Sequence, residues 1–129
     1  MNQIKKILKN EKGFTLVELV IVVLILGILV AIAVPRFVSA TDNAKEQARK
    51  ATARTIMSAI VMAQAANPDT PADKIDETMV NEYLENITVK KTATPDPESW
   101  GYDYDESNKK WKFYYTPKGS TDSKDITLK

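Results

Sequence analysis

Residues 12–34 read Lys-Gly-Phe-Thr-Leu-Val-Glu-Leu-Val-Ile-Val-Val-Leu-Ile-Leu-Gly-Ile-Leu-Val-Ala-Ile-Ala-Val, and this apolar run decides the fold. A helix needs about 20 mostly apolar residues to cross ~30 Å of hydrocarbon, so the run predicts a membrane-spanning helix. Glu18 is the single ionisable residue between Phe14 and Val34. A carboxylate costs about 2.5–3.5 kcal/mol at mid-bilayer and usually has a partner. Because no Lys or Arg lies between Phe14 and Val34, that partner must come from outside this segment.

The segment at 13–18, Gly-Phe-Thr-Leu-Val-Glu after a lysine-rich start, resembles the prepilin leader of type IV pilins and of the pseudopilins of related secretion systems. The resemblance covers about the first third of the chain. It implies that a prepilin peptidase cleaves between Gly13 and Phe14 and that Phe14 becomes the N-methylated first residue. It also implies that Glu18 pairs with the N-terminal amine of a neighbouring subunit during filament assembly.

The physical chemistry of that pairing is favourable. An α-amino group has an unperturbed pKa near ~8 and is mostly cationic at neutral pH. At ~4 Å and an effective dielectric constant of ~20, its gross attraction to a carboxylate is about 4 kcal/mol, which could offset the burial cost. The alternative is a single-pass anchor in which the Glu18 side chain reaches the membrane interface.

Composition limits the function classes. At 129 residues the chain supports one small domain beyond the span. It has no cysteine, hence no disulfide framework, and no histidine, which removes the commonest general base and transition-metal ligand. From Phe14 onward 14 basic residues face 16 acidic ones, a balance that does not favour nucleic-acid binding through a basic surface. We expect neither an enzyme nor a cofactor.

The charges before the apolar run predict its orientation. Four lysines against one glutamate in residues 1–13 indicate a cytoplasmic N-terminus and translocation of the chain after Val34. A secretory signal peptide cleaved near Ala31-Ile32-Ala33 is the alternative. Its apolar core is usually 7–15 residues long, shorter than the run observed here.

One continuous helix is predicted from Phe14 to about Ala66, because the pattern after Arg36 is amphipathic without an evident breaker. Gly27 and Pro35 are the sites of irregularity in this helix. Filaments of the resembled family loosen the helix between a glycine and a proline at these places when subunits pack. A gentle kink without a role in assembly is the alternative.

Two groups of side chains lie along the amphipathic half. An apolar stripe at helical spacing is predicted to carry the exterior domain: Ile56, Ala59, Ile60 and Ala63. A charged cluster precedes it: Lys45, Glu46, Arg49, Lys50 and Arg54. Glu46 and Lys50 have the i, i+4 spacing of an ion pair. The cluster is interpreted as a solvated face, with a lipid-headgroup or intersubunit contact as the alternative.

The exterior domain is predicted to begin with a second helix at about Pro71–Glu85, which Thr70 can cap. A short strand follows at Ile87–Thr92. After a Pro-rich link at 92–99, two segments place aromatic side chains on one face of a hairpin. These are Trp100, Tyr102, Tyr104, Trp111, Phe113 and Tyr115. The aromatic face is interpreted as hydrophobic core, with a ligand platform as the alternative, and a last edge strand is possible at Ile126–Leu128.

The carboxylates near the hairpin turn, Asp103, Asp105 and Glu106, are weak candidates for a calcium site. They lack the ligand and glycine spacing of an EF-hand loop. A solvated hairpin without metal is therefore the preferred interpretation.

These patterns together predict an α+β fold with a long N-terminal helix and a small C-terminal domain of a second helix and a short antiparallel sheet. The chain divides into a leader at 1–13, a transmembrane and filament-core helix at 14–35, an amphipathic continuation at 36–66 and an exterior domain at 67–129.

The resemblance implies a structural subunit of a type IV pilus for adhesion, motility or a surface filament. The alternatives are a pseudopilin of a type II secretion or DNA-uptake system, and a monomeric membrane-anchored binding module. The implied partners are copies of the chain in a helical filament, a prepilin peptidase, an inner-membrane platform with its ATPase, and membrane lipid before assembly. The implied locations are the cell membrane and then an extracellular filament.

Overall fold

The computed structural model describes residues 13–128. It contains helix α1 (Leu16–Ala66), a 3₁₀ turn (Ala72–Lys74), helix α2 (Glu77–Asn81) and four strands. The strands are β1 (Val89–Lys91), β2 (Trp100–Asp105), β3 (Lys110–Tyr115) and β4 (Lys124–Ile126). This architecture confirms the predicted α+β class. The leader lies outside the described residues except for Gly13.

The chain divides into two compact units between Asp42 and Asn43. Below, the N-terminal unit means residues 13–42 and the C-terminal unit means residues 43–128. The division predicted from the sequence, at residues 35 and 66, separates a membrane-spanning segment, an amphipathic helix and an exterior domain. It stays a prediction.

Helix α1 runs for 51 residues and includes Pro35. It begins two residues after the predicted start and ends at the predicted residue. The helix is continuous through Gly27 and Pro35. The loosening of this stretch concerns packed subunits and stays a prediction.

The core of the C-terminal unit begins on α1. Ile56 and Ile60 are fully buried, and Ala59 and Ala63 between and after them are at most 2% exposed, so the predicted stripe is confirmed. At helical spacing these side chains form one face, against which the rest of the unit packs. Ile75, Val80, Val89, Tyr102 and Phe113 complete this core from the other elements.

The predicted second helix at Pro71–Glu85 is wrong in extent. The backbone is extended at Ile75 and Asp76, between the 3₁₀ turn and the five-residue α2. Ile75 is fully buried there, and the Asp76 carboxylate accepts hydrogen bonds from the backbone N–H groups of Thr78 and Met79. Core packing and a new N-cap therefore outweigh the helical periodicity. Thr70 caps no helix, since the 3₁₀ turn has no side-chain cap.

The sheet has the order β1-β2-β3-β4, and it is mixed, so the predicted antiparallel sheet needs correction. β1 runs parallel to β2, whereas the other two pairs are antiparallel. The link at 92–99 makes this possible because it passes close over the sheet at Gly101. A Cβ atom at Gly101 would lie 2.2 Å from the backbone oxygen of Thr92, which no side chain can accommodate without a shift.

The predicted aromatic face of the hairpin is confirmed. Trp100 pairs with Tyr115, Tyr102 with Phe113 and Tyr104 with Trp111 in the β2–β3 register. Tyr102 and Phe113 are in the core, which confirms the core interpretation over a ligand platform for these two. The first strand is shorter than predicted, and the last lies at Lys124–Ile126 rather than at Ile126–Leu128.

Candidate assembly site

The start of α1 holds the predicted assembly residue in a reciprocal pair of hydrogen bonds. The Glu18 backbone N–H donates to Thr15 Oγ1 at 3.2 Å, and the Thr15 backbone N–H donates to Glu18 Oε2 at 3.2 Å. This is a capping box, in which two groups that a helix N-terminus leaves without partners satisfy each other. The Glu18 carboxylate is therefore fixed beside the backbone of Thr15, one residue from Phe14.

Thr15 was not among the predicted site residues. The signal was present, because a Thr followed three residues later by a Glu is the sequence pattern of a capping box. The apolar run predicts a membrane span whether or not its first turn is capped, so the span alone does not indicate a role for Thr15.

The predicted cleavage site lies just before this turn. Gly13 is exposed, and the Phe14 side chain is 90% exposed. None of the ion pairs within residues 13–128 includes Glu18. The helix dipole favours a negative charge in this first turn, but it supplies only a partial positive charge. A fully charged partner for the Glu18 carboxylate must therefore come from a group that does not contact it within residues 13–128.

The apolar side chains after Glu18 are exposed. Every described residue from Gly13 to Ala40 is exposed, including Val20 and Ile21 at 49% each. Monomeric soluble proteins rarely expose a contiguous apolar surface of this size. Helix α1 is the one described helix that is long and apolar enough to cross a membrane. This surface therefore requires lipid or other apolar side chains around it.

The Asp105 carboxylate makes its contacts within the hairpin. Asp105 Oδ2 accepts from Lys112 Nζ at 2.8 Å and from Asn108 Nδ2 at 2.9 Å, while its Oδ1 accepts the backbone N–H groups of Ser107 and Asn108. The Lys112 ammonium and then the Asn108 amide hold the pKa of Asp105 well below its usual range.

The calcium alternative has no assembled ligand set. Asp103 Oδ1 accepts the backbone N–H of Tyr104 at 2.9 Å, and Glu106 is exposed. Within residues 13–128 no three potential metal-ligating side chains come together.

The charged cluster on α1 is divided between two roles. Glu46 and Lys50 form the predicted i, i+4 ion pair at 3.0 Å, and the Glu46 pKa is lowered mainly by its hydrogen bond to Lys50. Arg49 instead lies over the ring of Tyr115, with its guanidinium carbon 5.1 Å from the ring centroid. Sequence periodicity could not show this contact, because Tyr115 is brought to the helix by the sheet.

Residues 8–34 match a family model described as the prokaryotic N-terminal methylation motif. The chain is 35% identical over 95 residues to the type II secretion system core protein G of Pseudomonas aeruginosa, a match that covers 74% of this chain and 62% of that protein. These two matches support a pilin or pseudopilin family for this chain. The matched residues include the 13–18 segment and most of the exposed apolar run.

Two pilus proteins are also similar to this chain. It is 60% identical over 54 residues to the type IV narrow pilus major component PilA5 of Thermus thermophilus, covering 42% of this chain and 47% of that protein. It is 42% identical over 50 residues to the type IV major pilin protein PilA of Myxococcus xanthus, covering 39% and 23%. No solved structure shows a significant match.

These matches span less than two thirds of the length of each relative. The relatives are structural subunits rather than enzymes, in agreement with the expectation for this chain. Together with the exposed apolar helix, they support a pilin-like filament subunit, membrane anchoring and prepilin processing in general.

Proposed function

We propose that this pilin-like chain is the structural subunit of a type IV pilus, cleaved between Gly13 and Phe14 and assembled through its hydrophobic helix. The observation that carries the proposal is the Glu18 carboxylate, held by Thr15 at the start of an otherwise apolar, exposed helix. The 60% identity to a pilus component over 54 residues supports a pilus.

The proposed mechanism begins with processing. The positive-inside rule places the lysine-rich start on the cytoplasmic side, where a prepilin peptidase removes it, and Phe14 is then N-methylated. Cleavage creates an α-amino group that is mostly cationic at neutral pH. Each processed chain then offers one cation, at Phe14, and one carboxylate, at Glu18, at the same end of an apolar helix.

Assembly then transfers the helix from lipid to a bundle of identical helices. The apolar area out of water changes little in this transfer, so packing and polar contacts decide it. Pairing of Glu18 with the Phe14 amine of a neighbouring copy supplies about 4 kcal/mol of gross attraction at an effective dielectric constant of ~20. Because the charges must meet, the pair sets the register between subunits more than it sets affinity. An inner-membrane platform with its ATPase drives the transfer.

A pseudopilin of a type II secretion system is the second candidate. The match to the Pseudomonas protein extends over 95 residues and therefore beyond the helix into the exterior part. Both candidates share the assembly chemistry and differ in what the filament does. Deleting the gene separates them: loss of surface filaments and adhesion supports the pilus, whereas periplasmic retention of secreted proteins with intact pili supports the pseudopilus.

Mass spectrometry of the purified protein tests the processing step. We expect loss of residues 1–13 and one added methyl group on Phe14. An intact start, or a new N-terminus after Ala33, would contradict the proposed route. Replacing Gly13 by a bulkier residue should leave the full-length precursor in the membrane.

The substitution Glu18→Gln tests the assembly step, because it keeps the shape of the side chain and removes its charge. We expect unchanged amounts of processed protein in the membrane and a fall of about ten-fold or more in sheared filaments, since about 1.4 kcal/mol corresponds to ten-fold. The matched control is Glu46→Gln, which neutralises a carboxylate of an exposed ion pair on the same helix and should assemble. Equal filament yields for both variants would favour a monomeric anchored module.

A further inference from the structure

A groove in the C-terminal unit carries three cations and no carboxylate. Among the residues that line it are Lys45, Arg49 and Thr52 from α1, Trp100 from β2, Tyr115 from β3, and Lys118. We call it the basic groove. None of the ion pairs within residues 13–128 includes Lys45, Arg49 or Lys118. Its positive charges are therefore available to an external anion.

The Arg49 guanidinium is held in place in this groove. It lies over the Tyr115 ring, whose centroid is 5.1 Å from that of Trp100 in a tilted pair. Trp100 is only 9% exposed, so the two rings form a fixed floor. A guanidinium fixed on an aromatic face keeps its planar set of N–H donors ready for a carboxylate and loses less conformational freedom on binding.

The same geometry argues against a nucleobase as the occupant. Stacking of bases requires an open aromatic face. Trp100 is nearly buried, and Arg49 already covers a face of Tyr115. The groove is suited to carboxylates, which a guanidinium can bind through two parallel hydrogen bonds.

The chain itself has a surface with the complementary charge. Residues 75–89 contain four acidic residues and no Lys or Arg. Asp76 caps α2 and Glu77 Oε2 accepts the backbone N–H of Lys91, so both carboxylates have partners. Glu82 and Glu85 are exposed and take part in none of the ion pairs within residues 13–128, with the partly exposed Tyr83 between them. We call residues 82–85 the acidic turn.

We propose that the basic groove of one subunit binds the acidic turn of a neighbouring copy in the filament. This inference rests on the proposed function, because a filament of identical chains brings many copies of both surfaces together. Arg49 pairs with one carboxylate of the turn, and Lys45 and Lys118 attract the second. The contact adds a charge-dependent interaction between the C-terminal units of neighbouring copies to the packing of the helices.

Cysteine cross-linking in filaments tests the contact directly, since the chain has no native cysteine. The full-length double variant Lys118→Cys/Glu85→Cys should give a ladder of covalent multimers after treatment of sheared filaments with a short bismaleimide. The matched control Lys110→Cys/Glu85→Cys moves the first cysteine to a lysine outside the groove and should give no ladder. Wild-type-like filaments without a ladder from the first variant would overturn the inference and leave the proposed function standing.

Charge reversal provides the second test. Lys45→Glu/Lys118→Glu should lower the filament yield by about ten-fold, and adding Glu82→Lys/Glu85→Lys should restore it. Failure of this restoration in subunits that reach the membrane normally would overturn the inference. So would binding of a single-stranded oligonucleotide that Lys45→Glu/Lys118→Glu abolishes. If the wild-type chain forms no filaments, the proposed function fails and the inference fails with it.

Discussion

The two units of this pilin-like chain differ in how far their apolar side chains are exposed. In the N-terminal unit the valines, leucines and isoleucines are about half exposed or more, as at Val20 (49%) and Leu16 (79%). In the C-terminal unit Ile56, Tyr102 and Phe113 are at most 2% exposed. Both units share helix α1, so helix formation does not distinguish them.

The difference shows where each unit obtains its stability. The C-terminal unit buries its apolar area within one chain, and each large side chain there contributes about 1.5–3 kcal/mol relative to exposure. The N-terminal unit leaves that contribution to its surroundings, which are lipid before assembly and sister helices afterwards in the proposed filament. A substitution in the C-terminal unit should therefore change folding, whereas one in the N-terminal unit should change assembly.

Neighbouring positions on α1 give the largest expected effect. Ile60 is fully buried and Val61 is 51% exposed. Ile60→Ala should lower the free energy of unfolding by about 2–5 kcal/mol through lost burial and a cavity. Val61→Ala should change it by less than about 0.5 kcal/mol. Denaturant titration of the full chain in detergent, followed by tryptophan fluorescence, measures both, and equal losses would contradict the internal core.

Gly101 should give the next largest effect on folding. A Cβ atom there meets the Thr92 backbone oxygen at 2.2 Å, so Gly101→Asn should cost about 1–3 kcal/mol or more through overpacking. Gly119 is the control, because it has space around it and a φ of +72°, which asparagine tolerates. The same titration should therefore rank Gly119→Asn well below Gly101→Asn. A similar cost at both glycines would show that the link at 92–99 can move away.

A substitution at Thr15 tests the N-terminal unit, where we expect an effect on assembly rather than on folding. Thr15→Val removes the oxygen that accepts the Glu18 N–H, at a cost of about 0.5–2 kcal/mol for a lost N-cap. We expect unchanged unfolding of the C-terminal unit and fewer filaments, because the first turn of α1 holds Glu18 less firmly. Thr15→Ser keeps the hydroxyl and should assemble normally. A matching defect in Thr15→Ser would indicate that the methyl group, not the cap, matters.

The smallest effect concerns pH. Since Lys112 and Asn108 lower the pKa of Asp105 in the folded chain, this carboxylate stabilises the fold above its unfolded pKa of about 4. That stabilisation is lost as the pH falls below about 4. The melting temperature of Asp105→Asn should therefore drop less between pH 7 and pH 3 than that of the wild type. Glu106→Gln, one residue away and exposed, should follow the wild type.

Local patterns predicted the parts of this chain whose structure depends on neighbouring residues. The apolar run and the stripe at Ile56 and Ile60 specified α1, because side chains at helical spacing share a face wherever the helix lies. Strict alternation placed the aromatic residues of β2 and β3 on one face before the pairing was known. The i, i+4 spacing of Glu46 and Lys50 gave their ion pair.

Contacts between distant residues decided the rest. The predicted second helix at Pro71–Glu85 is interrupted, although the periodicity favours it. Ile75 is buried in the core with an extended backbone, and the Asp76 cap starts a new helix at Glu77. The parallel pairing of β1 with β2 requires a crossover connection, which the link at 92–99 provides as it passes close to Gly101, and no pattern within β1 contains that information.

The sequence by itself determined that this chain has an apolar helix with one carboxylate near its start, because composition and spacing are properties of consecutive residues. Only the tertiary structure brought Arg49 onto Tyr115 and left the carboxylates of Glu82 and Glu85 outside the ion pairs formed within residues 13–128. The physical reason is that a sheet and a helix meet through side chains separated by more than 60 residues, and their contact depends on how the whole core packs.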